Sequence, residues 1–457
     1  MKVLHVTFSY APDPMGGTEV YVGDVCRRLW ADGVRAVIAA PGAQAASYAM
    51  DGVPVRRFPF QSQPDGLEAL YGGGDSVAAF AFDAVLEAER PDLVHQHALT
   101  PACSGELIAR AKKRGLPVVF TYHTPTVSCQ RGTMLRWGSE ECDGRLDVRQ
   151  CTACTLHGLG LNRTVSRMIA SAPEAVSEAI AHAGLSGGGW TALRMSTLMK
   201  RRHDEIRRVL TSVDRIVVLA DWVRRALRAN GIPDRKLMLA PHGVARVEPA
   251  ARTAWDARYV RLAHLGRLEA NKGTGLLIEA LRAIPDAPLT LDIFGITQSD
   301  ADRQELDRVR GLTEGDSRIR FLPPLDHATI TTRLAAFDAV VVPSQLLETG
   351  PLVVLEAFAA GVPVIGSALG GIAEKVRSGV NGWLVSPHDS VEAWREILVR
   401  CASDRTLLTG LRERIVPPRS LDDAAHEMRR LYGEVLAERA AANASESTGV
   451  HAGTGRA

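Results

Sequence analysis

The chain has 457 residues, enough for two or three domains of ordinary size. Its 46% hydrophobic and 23% charged residues suit a globular protein and exclude a disordered or fibrous one. Fifty-four Lys and Arg against 52 Asp and Glu give a net charge of +2, so no global attraction to nucleic acid or anionic lipid is expected, and 5% aromatic residues leave little for base stacking.

No apolar run reaches the roughly 20 residues of a membrane span. The stretch from Met1 to Phe8 is too short for a signal peptide and is read as a first strand, which predicts a cytoplasmic protein. Seven cysteines in so long a chain do not suggest a secreted disulfide framework. Short apolar runs at 2–8, 35–39, 53–58, 93–97, 117–122, 214–219 and 236–240 predict strands buried on both faces, with helical patterns between them, as at 18–32 and 102–114. The scheme repeats, with strands at 259–265, 289–294, 318–321, 338–342, 363–366 and 382–385 and helices near 273–283, 326–336, 351–360 and 389–402. Strand–helix alternation predicts an α/β protein: two Rossmann-like domains with parallel sheets facing across a cleft. The expected boundaries are 1–248, with an insert near 125–210, and 249–420, the junction falling near Glu248–Ala251. A helix at 421–440 is expected to cross back onto the first domain, and 441–457 is expected to be a disordered tail.

The sharpest motif is Glu348-Thr349-Gly350-Pro351-Leu352-Val353-Val354-Leu355-Glu356, after the strand ending at Val342. Pro351 fits a helix start and Gly361 the position past its end. A helix N-terminus attracts phosphate, and a carboxylate one to two turns in can accept hydrogen bonds from two ribose hydroxyls. Gly266-Arg267-Leu268-Glu269-Ala270-Asn271-Lys272-Gly273 follows another strand, where α/β sheets bind ligands; Arg267 and Lys272 suit a diphosphate leaving group. Gly16 and Gly17, after the first strand, allow close backbone approach to a phosphate but lack the dinucleotide fingerprint, so no NAD or FAD is inferred.

Together these motifs resemble the retaining glycosyltransferases of GT-B architecture, glycosyltransferase group 1 (family 4), from the Gly16-Gly17 loop to the helix after Gly382. Ala240-Pro241-His242-Gly243-Val244 resembles that family's Pro-Asn-Gly-Val turn, with His242 in place of Asn. The resemblance implies that Arg267 and Lys272 hold the donor diphosphate, Glu356 binds the ribose and Glu348 contacts the donor sugar. It also implies that the Gly350, Pro351 and Leu352 segment lines the site and that Gly17 approaches from the first domain. The family's Gly-Phe-Gly is here Thr349-Gly350-Pro351, which leaves the donor sugar open. His123, ending a strand, matches a position facing the donor sugar; His95 and His97 end the neighbouring strand on one face. The expected catalytic residues are therefore His123, Glu348, Arg267 and Lys272, acting without a metal by a front-face path in which the leaving phosphate takes the acceptor's proton.

Cys129, Cys142, Cys151 and Cys154 lie in the insert, and four thiolates suffice for a structural zinc site. Free thiols or a redox pair stay open as alternatives. Asp300 and Asp302 are read as helix-capping residues rather than a metal pair. The implied partners are a nucleotide-sugar donor and a glycan, lipid-linked or small-molecule acceptor, with peripheral contact at the inner membrane face left open and nucleic acid not expected. Two alternatives remain: an epimerase acting on nucleotide sugars, and a nucleic-acid module built on the Cys insert.

Overall fold

Thirteen apolar runs read as strands all pair in two separate sheets of a computed structural model, which describes residues 1–61, 66–185, 187–246 and 258–451. The first sheet runs, from one edge, Leu237–Leu239, Arg215–Val218, Val118–Tyr122, Leu93–Gln96, Lys2–Val6, Arg35–Gly42, Val53–Pro59 and Ala46–Met50. All of its pairings are parallel except that of the last strand, which folds back antiparallel on Val53–Pro59. The second sheet runs Ile319–Leu322, Leu289–Ile296, Val260–Arg267, Ala339–Val342, Val364–Ser367 and Gly382–Val385, all parallel.

In chain order the second sheet reads 3-2-1-4-5-6, the doubly wound order in which ligands bind where the order reverses. That switch falls between Val260–Arg267 and Ala339–Val342, so the Arg267 loop and the Glu348 loop leave the sheet side by side. The first sheet reverses between Lys2–Val6 and Leu93–Gln96, which places the Gly16-Gly17 loop beside the end of the His97 strand.

Each sheet has apolar layers on both faces, as continuous strands of Val, Leu and Ile require. The layers are not confined to their own sheets. Leu347 and Leu369 from the second half bury in the first sheet's core, and Leu352 packs against its other face. The helix from Leu421 seats Leu421, Ala425, Met428, Leu431, Tyr432 and Val435 against the first sheet. It continues to His451, beyond the expected end at 440. Ala441, Ala442 and Ala444 favour helix, which accounts for its passing the tail start expected at 441; Ser447, Thr448 and Gly449 do not, and 452–457 lie outside the described residues. The junction expected near Glu248–Ala251 also lies outside them.

The insert holds helices Val148–Gly158, Arg163–Ala170, Glu174–His182 and Gly188–Ser212, with a hairpin of Leu135–Arg136 and Glu140–Glu141. It has a small core of its own, built on Leu156, Met195, Leu198 and Met199 against Tyr71. Among the described residues, no helix is long and apolar enough to cross a membrane.

Candidate active site

The loop from Pro343 to Pro351 joins the strand Ala339–Val342 to the helix Leu352–Ala359. Pro351 is the residue just before that helix rather than within its first turn. The loop's approach to its neighbour depends on Gly273, whose φ of +72° suits glycine and whose added Cβ would stand 2.0 Å from the Pro343 carbonyl oxygen. Beside it, Lys272 Nζ donates to Glu348 Oε1 at 2.6 Å, and the Ser344 hydroxyl donates to the same oxygen at 3.0 Å. The Glu348 carbonyl accepts from Trp222 Nε1 at 2.8 Å and the Gly371 amide at 2.7 Å. Glu348 is thus held at both its backbone and its carboxylate.

The next residues cross to the first sheet. Thr349 Oγ1 donates to the His123 carbonyl, and His242 Nδ1 donates to the Gly350 carbonyl at 3.1 Å. A Cβ on Gly350 would come 2.7 Å from that nitrogen. Gly17 faces the helix start, since a Cβ there would meet Leu352 Cδ1 at 3.3 Å. The Gly16 amide is taken by Glu19 Oε2 at 2.9 Å.

Glu356, the fifth residue of its helix, is 6% exposed and lines a cleft of about 380 Å³ with Glu19, Tyr21, Asp24, His327 and Leu352. His327 bridges the cleft: its Nε2 lies 2.9 Å from Asp24 Oδ2 and its Nδ1 3.6 Å from Glu356 Oε1. Burial pushes the Glu356 carboxyl up to about 7, with His327 opposing the rise and Asp24 adding to it. The hydrogen bond to Asp24 raises His327 above its ordinary value. A carboxyl poised this way can pass from a His327 partner to a ligand hydroxyl.

Five imidazoles run from the first sheet's core to this loop. His5 Nδ1 meets His97 Nε2 at 3.1 Å, and His97 Nδ1 meets His123 Nε2 at 3.0 Å. His95 and His97 do share a face, with ring centres 3.9 Å apart, and His95 is bonded to Tyr432 and Thr121, each at 2.7 Å. His242 stacks on His123 at 5.5 Å. Burial lowers His97 and His123 well below the ordinary value and takes His242 to about 3, so the row is neutral at pH 7. His5, His95 and His97 bring three ring nitrogens within 4.8 Å, but most of their nitrogens bond to one another or to hydroxyls, which marks a packed hydrogen-bonded core rather than a metal centre. His123 Nδ1 has no partner among the described residues and is the end of the row.

The motifs therefore come together unevenly. Lys272 joins Glu348, Thr349 joins His123, and Gly17 meets Leu352. Arg267 does not reach either glutamate; it is half exposed and pairs with Glu269 at 2.6 Å. Asp302 closes a capping box with Ser299, as its place near a helix start predicts. Asp24 and His327 were not legible, because 303 residues separate two groups whose pairing only the fold creates. His242 was legible only as a departure from the family turn.

Two family models match the chain. "Glycosyl transferase 4-like domain" covers residues 16–243 and "Glycosyl transferases group 1" covers residues 260–404.

The chain belongs to the group 1 glycosyltransferases.

Its relatives include proteins named D-inositol 3-phosphate glycosyltransferase. That of Geodermatophilus obscurus is 35% identical over 213 residues, covering 42% of this chain and 47% of the relative. That of Salinispora tropica is 33% identical over 235 residues, 48% of each. The chain spans about half the length of the curated relatives it matches. Among solved structures, sucrose-phosphate synthase from Thermosynechococcus elongatus is similar with a TM-score of 0.65 and 19% identity, over 96% of this chain and 99% of that one. Anabaena Alr3699/HepE in complex with UDP-glucose is similar with a TM-score of 0.60 and 18% identity, over 95% and 100%. At such identities these two speak for the fold, the GT-B arrangement of this group 1 glycosyltransferase.

Proposed function

We propose that this group 1 glycosyltransferase moves a sugar from a nucleotide-diphosphate sugar to an acceptor, with retention and without a catalytic metal. The observation that carries the reading is the interdomain cleft with Glu356 buried at its wall and the helix start at Leu352 beside it. The helix N-terminus and the cations Lys272 and Arg267 suit a diphosphate, and Glu356 suits the adjoining ribose. Lys272 has three N–H donors, so it can hold Glu348 and a phosphate oxygen together. Arg267, half exposed, is free to turn from Glu269 toward the phosphates.

Glu348 then orients the donor sugar beside the buried His123, whose Nδ1 has no hydrogen-bond partner among the described residues. Neither is placed as a nucleophile here; the departing phosphate accepts the acceptor's proton as the new bond forms on the same face. The UDP-glucose complex of a protein with this fold favours a uridine donor, and the relatives' name favours a small phosphorylated polyol as acceptor over a polymer. The test is incubation with donor and acceptor panels, reading product linkage by NMR. A glycoside with the donor's anomeric configuration supports the proposal. An inverted product overturns retention, and epimerised donor without any glycoside overturns transfer.

A further inference from the structure

We propose that Cys129, Cys142, Cys151 and Cys154 bind a Zn²⁺ ion that orders the segment bonded to the Glu348 loop. The four thiols come from three pieces of chain. Cys129 follows the turn Pro125–Val127, Cys142 follows the short hairpin, and Cys151 and Cys154 sit one turn apart on the helix Val148–Gly158. That i, i+3 spacing puts the last two on one face. All four border a single cavity of about 40 Å³, room for one ion. None is in a disulfide.

The four cysteines line this cavity without yet meeting at one point. No three of them lie within 4.8 Å of one another among the described residues, and four Zn–S bonds of about 2.3 Å would draw them inward. The surroundings suit the charge that results. Zn²⁺ with four thiolates carries two net negative charges, and Arg131, Arg136 and Arg145 line the same cavity. Arg131 Nη1 points at Cys154 Sγ from 3.6 Å, and the Trp137 amide donates to that sulfur at 3.4 Å. Donors of this kind orient and stabilise a thiolate ligand. Four sulfur ligands select zinc or iron over hard cations, and the Cys151-x-x-Cys154 pair has the spacing common in structural zinc sites.

The segment between Cys129 and Cys142 needs such a restraint. Its strands are two residues long, and Met134 and Trp137 hold positive φ values of 55° and 59° without being glycine. Yet it touches the catalytic loop on two sides. The Thr133 carbonyl accepts from the Leu347 amide at 2.9 Å, one residue before Glu348. The Ser139 carbonyl accepts from His388 Nε2 at 3.0 Å, and His388 in turn meets Gln345 at 2.7 Å. An ion holding 129 to 142 thereby holds the loop that carries Glu348.

The test is metal analysis of the full chain expressed with added zinc and purified without chelator. About one zinc per chain is expected, lost in the Cys151→Ser, Cys154→Ser double variant and kept in Cys401→Ala, whose thiol lies in a distant core. Should the double variant fail to fold, the wild type still decides: a mercurial thiol reagent should release the zinc in step with four thiols, and cobalt substitution should give thiolate-to-metal charge-transfer absorption. Removing the ion should speed proteolysis between 129 and 147. Folded wild type with only trace zinc, with iron in its place, or with these cysteines in disulfides overturns the proposal. None of these readouts depends on sugar transfer.

Discussion

Glu356 shows most directly how one buried group shapes the cleft. Its carboxyl rises to about 7 through burial, and His327 rises through Asp24. Both folded-state values lie above the unfolded ones, so both favour the protonated form. The carboxyl's contribution to stability is complete below its ordinary value of 4.5 and is lost as pH climbs to about 7; that of His327 is complete below 6.5 and is lost above it. The melting temperature of the ligand-free chain should therefore lose a wild-type advantage over Glu356→Gln between pH 5 and 8. An advantage that stays constant across that range would speak against a perturbed carboxyl. On the ribose role proposed for Glu356, nucleotide affinity should run the other way, because an ionised carboxylate can accept from both ribose hydroxyls. At pH 8, Glu356→Gln should weaken nucleotide binding roughly 10- to 100-fold in calorimetry, the worth of hydrogen bonds to a charged acceptor. Lys272→Ala should act on turnover instead, lowering kcat by about 10²–10³ if it stabilises the departing diphosphate. Steady-state kinetics showing only a raised KM would assign it to ground-state binding.

At the scale of elements, the two strand-to-loop junctions of the second sheet are built by close backbone approach. Gly273 makes it possible, so Gly273→Ala must push a methyl against the Pro343 carbonyl and hold Ala at positive φ. A loss of about 1–3 kcal/mol is expected from denaturant unfolding. Gly433→Ala, on the helix from Leu421 with nothing within 4 Å, should be neutral or gain up to about 1 kcal/mol. Equal losses in both would deny Gly273 its special place. The sequence reading located every strand of the second sheet to within about two residues, because a parallel strand covered on both faces must be an apolar run. It missed Ala46–Met50, a largely exposed antiparallel edge with no apolar pattern to read. The helix expected at 326–336 shrinks to Ile330–Leu334, since Asp326 and His327 turn toward the cleft instead. Lys272 and Glu348 could be read because each sits within a local motif. The pair Asp24 and His327 could not, because neither has a local signal and only packing of the two sheets joins them.

At the scale of the whole molecule, the two halves meet through segments that follow their strands. Specific bonds join them: Thr349 to His123, His242 to Gly350, and the Glu374 carboxylate to the amides of Asp221 and Trp222, both at 2.7 Å. The helix from Leu421 adds a third tie by returning to the first sheet. The resulting cleft has the helix start at Leu352 and the buried Glu356 carboxyl on one side and Met15, Glu19 and Asp24 on the other, so closing it over a ligand would exclude water. A ligand that binds only the folded state raises stability by about 2.7 kcal/mol at a hundredfold excess over Kd. The most direct test is a thermal-shift titration of the wild type and Glu356→Gln with UDP-, GDP- and ADP-sugars at pH 8. At least one should raise the wild-type melting temperature clearly and the variant's far less. No shift with any of them, or equal shifts in both proteins, would contradict a nucleotide-sugar site built on Glu356.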